Sequence, residues 1–297
     1  MAQLTATDDK TGRKFYLDEP DDLKPGEPVN LLLSIHGGGS VGAWQRLYFP
    51  AFDYVNRHRL VIATPSAATK EPMRRWVGEA DDAHLRNIVE QVFEKYGAAN
   101  IASFWLVGHS QGGMTSNRLL LDDPFFQARV DGWLSLSGGR IGPIELPATF
   151  FSIRPGPRPT FPAEGPGPGR AVAPPCDISF IFATGEREMT SLPQTSPWAQ
   201  KYAAGPRQRL PDVIDTEPGQ VWDTTREGNS TPAWGLEARP GTAQVYVYPN
   251  AAGGRLIADV VRLDKGHTEG LEPKITERLI ELMLAAPGGK TRALAGA

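Results

Sequence analysis

A single cysteine, Cys176, stands in the whole of this 297-residue chain, so no internal disulfide framework can staple it. That thiol lies in Ala173-Pro-Pro-Cys-Asp177, without a helix start or a basic partner, the setting of an inert side chain rather than a nucleophile. Long apolar runs are missing too. None approaches the ~18 residues that a membrane span requires. The formal net charge is only −3 and no basic run occurs, so neither nucleic acid nor a membrane surface is expected as a partner. The first residues lack a charged n-region and an apolar h-region; a cytoplasmic protein is expected, and a mature secreted chain would read the same.

What is present suits a soluble enzyme. Residues are 40% hydrophobic and 22% charged, enough for one large core, and 1–297 reads as a single domain. Strands and helices alternate as in a mostly parallel sheet covered by helices on both faces, an α/β architecture. Val29–Ile35 and Leu60–Ala63 are near-continuous apolar runs, as expected of strands buried on both sides. Lys14–Leu17 reads as an edge strand. Asp81–Tyr96 carries Leu85, Ile88, Val89, Val92, Phe93 and Tyr96 at helical spacing. Further strands are expected up to Val107, over Val130–Leu136 and over Ile178–Phe182. Val245–Tyr248 and Leu256–Leu263 flank Asn250-Ala-Ala-Gly-Gly254 as a hairpin, and the last helix runs from about Pro273 to Leu284.

Two stretches break this rhythm. Arg154–Pro175 holds eight prolines and four glycines and cannot propagate helix or central strand, so it reads as a surface loop. Met189–Thr242, a long insertion after the strand ending near Phe182, carries Trp198, Trp222 and Trp234. It reads either as a lid or pocket wall, or as a loop anchored on the core by its tryptophans.

The chemistry is carried by Gly108-His109-Ser110-Gln111-Gly112. An apolar run, Ile101–Val107, precedes it and a helical pattern follows, which is the context of a nucleophile elbow. A serine hydroxyl needs a base. Of five histidines, His267 alone occupies a loop between the last strand and the last helix, where the order serine–acid–histidine places the base. His109 is within the elbow. The acid should follow the next strand but one: Glu188 is the first choice, Glu186 its rival, with Asp215, Asp223, Asp259 and Asp264 behind them. Ser34-Ile-His-Gly-Gly-Gly-Ser40 offers backbone N–H groups for an oxyanion, from Gly38 or Gly39, beside that of Gln111. No Gly-Lys-Ser/Thr follows that loop, which argues against a phosphate cradle. Trp44 and His109 are candidates to line the substrate pocket, Trp44 equally a core residue.

With these elements in order, the chain resembles the α/β-hydrolase fold over nearly its full length. It is similar, more narrowly, to the polyhydroxybutyrate depolymerase and feruloyl esterase group. The resemblance rests on His36-Gly-Gly-Gly, Arg75-Trp76 with Asp81-Asp82, Gly108–Gly113, and Gly266-His267. It implies a serine esterase that cleaves a small-molecule or oligomeric carboxylic ester through Ser110, His267 and an acid in Gly185–Glu188, without cofactor or metal. Departures from that group are the Gln after the serine, a glutamate as acid, and the missing disulfides. The same triad serves amidases, peptidases and acyltransferases, and a hydrolase-like binding protein would keep the fold without turnover. Substrate identity and oligomeric state are not encoded in these motifs.

Overall fold

The computed structural model describes residues 5–71, 73–140, 172–188, 194–221 and 238–296. Its centre is a twisted sheet of eleven strands: β1 (Thr5–Thr7), β2 (Lys14–Asp18), β3 (Val29–Ile35), β4 (Leu60–Pro65), β5 (Ile101–His109), β6 (Gly132–Leu136), β7 (Ser179–Gly185), β8 (Gln208–Arg209), β9 (Val213–Ile214), β10 (Thr242–Val247) and β11 (Ile257–Arg262). The order is β1-β2-β4-β3-β5-β6-β7-β11-β10-β8, with β9 also on β10. From β4 across to β11 all neighbours are parallel; both margins are antiparallel.

The apolar runs explain the layering. Successive side chains of a strand point to opposite faces. On β5, Phe104 and Leu106 join one core while Trp105 and Val107 join the other. On β7 the same division separates Phe180 and Phe182 from Ile181 and Ala183. Helices cover each face: α1 (Gly42–Tyr48) and α2 (Val55–His58), then α3 (Gly78–Tyr96), α4 (Gln111–Asp122), α5 (Pro124–Arg129), α6 (Pro197–Lys201), α7 (Pro273–Ala285) and α8 (Lys290–Ala295). Helix α3 buries Leu85, Ile88, Val89 and Val92 against one core; α7 buries Ile275, Leu279, Ile280 and Met283 in the other. The elements expected from periodicity occur within a few residues of their expected bounds.

One expectation is corrected. Lys14–Leu17 is not the sheet margin, because β1 pairs outside it; Thr5-Ala-Thr7 has too little apolar content to signal a strand. The insertion after β7 is anchored in its described parts. Trp198 on α6 is wholly buried, stacked on Phe180 with ring centroids 4.5 Å apart, and β8 and β9 extend the sheet beyond β10. Residues 194–221 are therefore anchored on the core and on the sheet. Trp222, Trp234 and Asp223 lie outside the described residues, as does most of the Pro/Gly-rich loop. Its end, Val172, exchanges two backbone hydrogen bonds with the Asn117 side chain on α4, at 2.7 and 3.0 Å.

Candidate active site

The carboxyl ends of parallel strands gather the polar residues, as the geometry of open α/β sheets dictates. Ser110 follows β5, Ser137 follows β6, Glu188 follows β7 and His267 follows β11. Ser110 has φ 51° and ψ −118°, a left-handed conformation that a non-glycine residue tolerates only when its surroundings enforce it. Here they do. The Ser110 N–H donates to Leu136 O at 2.9 Å, and its carbonyl accepts from Gly113 N at 3.0 Å. A Cβ on Gly108 would overlap the backbone of Gly112, and one on Gly112 would overlap Ile35 O. Both elbow glycines are thus demanded by close backbone approach.

Glu188 and His267 meet. His267 Nδ1 lies 2.7 Å from Glu188 Oε2, and the two residues are only 5% and 9% exposed. A carboxylate oxygen can only accept, so Nδ1 carries the proton and Nε2 is left as the basic nitrogen. The rival Glu186 points outward and accepts from Asp264 N at 2.8 Å. A tight turn separates them: Gly185 abuts Lys265 O, Arg187 N donates to that same carbonyl, and Glu188 N turns back to Gly185 O at 3.3 Å. Asp264 has φ 58° and pairs with Arg187 and Arg239, bracing the His267 loop. Asp215 accepts from Ile275 N at the start of α7, and Asp259 is held by Arg140 and Tyr248.

The glycine loop after β3 faces the serine. A Cβ on Gly37 would stand 3.1 Å from that of Ser110. Gly39, expected to donate to an oxyanion, is otherwise engaged: its N–H donates to Arg74 O at 2.7 Å. Gly38 is exposed and no described acceptor takes its N–H, nor that of Gln111, which opens α4. Of the candidate donors, Gly38 and Gln111 are the two whose N–H groups no described acceptor takes. The loop is braced from behind by His36, whose Nε2 accepts from Ala67 N at 3.0 Å while Nδ1 donates to Gly37 O at 2.7 Å. Burial pushes the His36 pKa down to about 4, so the ring is neutral at pH 7. Trp76 packs on that ring and donates to His36 O at 2.8 Å; its own N–H reaches the Gln111 side chain at 3.2 Å.

His109 is 4% exposed, behind the site rather than in contact with its mouth. Its ring is stacked on Tyr48 at 3.8 Å and lies 4.8 Å from that of His267. Burial, then the neighbouring His267, pushes its pKa well below the usual histidine value. Trp44, 7% exposed, is packed edge-on against Tyr48 in the core. The sequence reading missed Met73, which is 43% exposed and overhangs Gly38 and Gly39. It also missed Ser137, whose Oγ donates to Glu188 Oε1 at 2.5 Å. A serine at a strand end before Gly138-Gly139 was the only available signal.

Lys265, Glu269, Glu272 and Arg262 form a buried ionic cluster behind the His267 loop, with Lys265 Nζ 2.8 Å from Glu272. Among the described residues no cluster of three or more His, Cys, Asp or Glu side chains could hold a metal ion, and no helix is long and apolar enough to cross a membrane.

Neither protein-family models nor curated proteins match this chain. Solved structures do. An acetyl xylan esterase from Aspergillus awamori aligns over 96% of this chain and 100% of its own, with a TM-score of 0.56 at 15% identity. The chain has the α/β-hydrolase fold. A Bacillus cereus carboxylesterase (16% identity, TM-score 0.38, 64% of this chain and 77% of that one) is a more distant likeness. So is an S-formylglutathione hydrolase from Staphylococcus aureus (13%, 0.41, 63% and 80%). In this fold the strand order places Ser110, Glu188 and His267 after β5, β7 and β11, with Gly38 at the neighbouring end of β3.

Proposed function

We propose that this protein is a serine hydrolase of carboxylic esters, with Ser110 as nucleophile, His267 as general base and Glu188 as the acid. The single observation that carries the reading is the buried His267–Glu188 bond at 2.7 Å, on the loop that also touches the elbow through His109. A carboxylate there fixes the imidazole tautomer and stabilises its charged form.

In the proposed cycle His267 Nε2 takes the proton of Ser110 as Oγ attacks the ester carbonyl. The tetrahedral oxyanion rests on the N–H groups of Gly38 and Gln111. The alkoxide leaves with the proton from His267, and an acyl group remains on Ser110. Water then attacks, giving its proton to His267, and the acid product departs as Ser110 is reprotonated. The esterase from Aspergillus awamori supports ester chemistry on such a frame; it does not choose the acyl or alcohol group.

A p-nitrophenyl ester series from acetate to long acyl chains tests the reading. Turnover by wild type and its abolition in folded Ser110→Ala is the expected result. Undiminished turnover in Ser110→Ala contradicts it.

A further inference from the structure

We infer that Trp76 is a positioning residue of the oxyanion site, clamping together the two segments that present the proposed donors Gly38 and Gln111. This role rests on the triad reading proposed above.

The two donors come from different parts of the chain. Gly38 belongs to the loop after β3, and Gln111 opens α4 just behind Ser110. An oxyanion is stabilised only where both N–H groups converge on one point, and donors that drift apart lose that convergence. Trp76 touches both segments. Its indole N–H donates to His36 O at 2.8 Å, at the root of the glycine loop. Its backbone N–H donates to Gln111 Oε1 at 3.2 Å, on the elbow helix. Trp76 is 3% exposed and packs on the His36 ring with centroids 4.7 Å apart, so the indole N–H is committed to that carbonyl.

The segment that carries Trp76 is bound to the glycine loop at two further points. Arg74 O takes the N–H of Gly39 at 2.7 Å, and Ala67 N donates to His36 Nε2 at 3.0 Å. Arg75 N closes the segment on itself at Thr69 O, 3.1 Å away. Segment and glycine loop therefore form one hydrogen-bonded unit, which the Gln111 side chain joins to the elbow. A Cβ on Gly38 would stand 3.6 Å from Gln111 Oε1, so this junction lies beside the proposed donor itself. The glutamine that departs from the resembled group thus has a role for its side chain. An alanine at 111 would keep the main-chain donor and lose the acceptor for Trp76. A tryptophan that only filled core volume would need its rings but neither bond.

Steady-state kinetics on an activated ester, together with inhibition by an alkylboronic acid, test this in wild type, Trp76→Phe and Gln111→Leu. A boronic acid adds to the serine as a tetrahedral anion and so reads the oxyanion site as a transition-state analogue. Trp76→Phe keeps an aromatic ring and removes the indole donor; Gln111→Leu keeps the main-chain donor and removes the Trp76 acceptor. Each is expected to lower kcat about tenfold with KM within about twofold, part of the roughly hundred- to thousandfold that losing one oxyanion donor costs. The inhibition constant of the boronic acid should rise by about the same factor, because analogue and transition state use the same donors. A substitution that only loosened the core would lower the melting temperature and leave that constant unchanged. If Trp76→Phe does not fold, Gln111→Leu, at a half-buried position, carries the test alone. Wild-type kinetics in either folded variant, or a fall in kcat with an unchanged inhibition constant, overturn the proposal. A wild type that turns over no ester and is not inhibited overturns the triad reading itself.

Discussion

The imidazole of His109 donates from Nε2 to the backbone carbonyl of His267 at 3.0 Å, joining the residue before the proposed nucleophile to the proposed base 158 positions later. The carbonyl can only accept, so the His109 ring is a neutral Nε2–H tautomer. One bond thus sets the height of the His267 loop over the elbow. His109→Phe keeps the stack on Tyr48 and removes the bond. We expect ester kcat to fall about tenfold with thermal stability lowered by no more than ~2 kcal/mol. Circular dichroism melts and initial rates on one preparation check both numbers.

The turn after β7 turns Glu188 to His267 and Glu186 to Asp264 N. Glu188→Gln should reduce kcat by about two to four orders of magnitude, as loss of the orienting carboxylate does elsewhere. Glu186→Gln, on the exposed side of that turn, should stay within about threefold of wild type. Reversal of the two results would reassign the acid.

Both elbow glycines sit where a Cβ has no room. Gly112→Ala must push the start of α4 away from Ile35 and His36. A loss of at least ~2 kcal/mol in urea unfolding is expected, along with the loss of esterase activity. Gly12→Ala, where nothing lies near a Cβ but φ is 70°, should cost about 1 kcal/mol and leave kcat alone.

Acid should destabilise the fold well before its carboxylates titrate. His36 is neutral with a pKa near 4, and His109 lies well below the ordinary histidine value, each through burial first. Unfolded, both rings take up protons from about pH 6.5 downward. Because the folded values are depressed, the unfolded state binds more protons in this window. Stability is therefore full above about pH 6.5 and falls as the pH drops towards 4, by on the order of 3 kcal/mol for His36 alone. Urea midpoints at pH 7.5, 6 and 5 should decline steadily; a flat profile would refute the neutral-histidine account.

Sequence pattern carried much of this and failed where contacts are long-range. Ser110 and His267 were legible because the elbow and the late loop have fixed places in the strand order. Glu188 was preferred to Glu186 for its spacing from Gly185; the packing of Gly185 on Lys265 belongs to the turn in which Glu188, not Glu186, meets His267. Gly39 looked equal to Gly38 until Arg74, folded over from the next loop, took its N–H. Lys14–Leu17 was read as the edge strand because the three residues of β1, two exposed and one half-buried, carry no periodic signal.

Reaction of the protein with a fluorophosphonate, followed by intact-mass and peptide mass spectrometry, tests the central claim most directly. The account predicts one adduct per chain, on Ser110, lost in Ser110→Ala and greatly slowed in a His267→Ala variant that remains folded. No adduct, or an adduct on another residue, would contradict it.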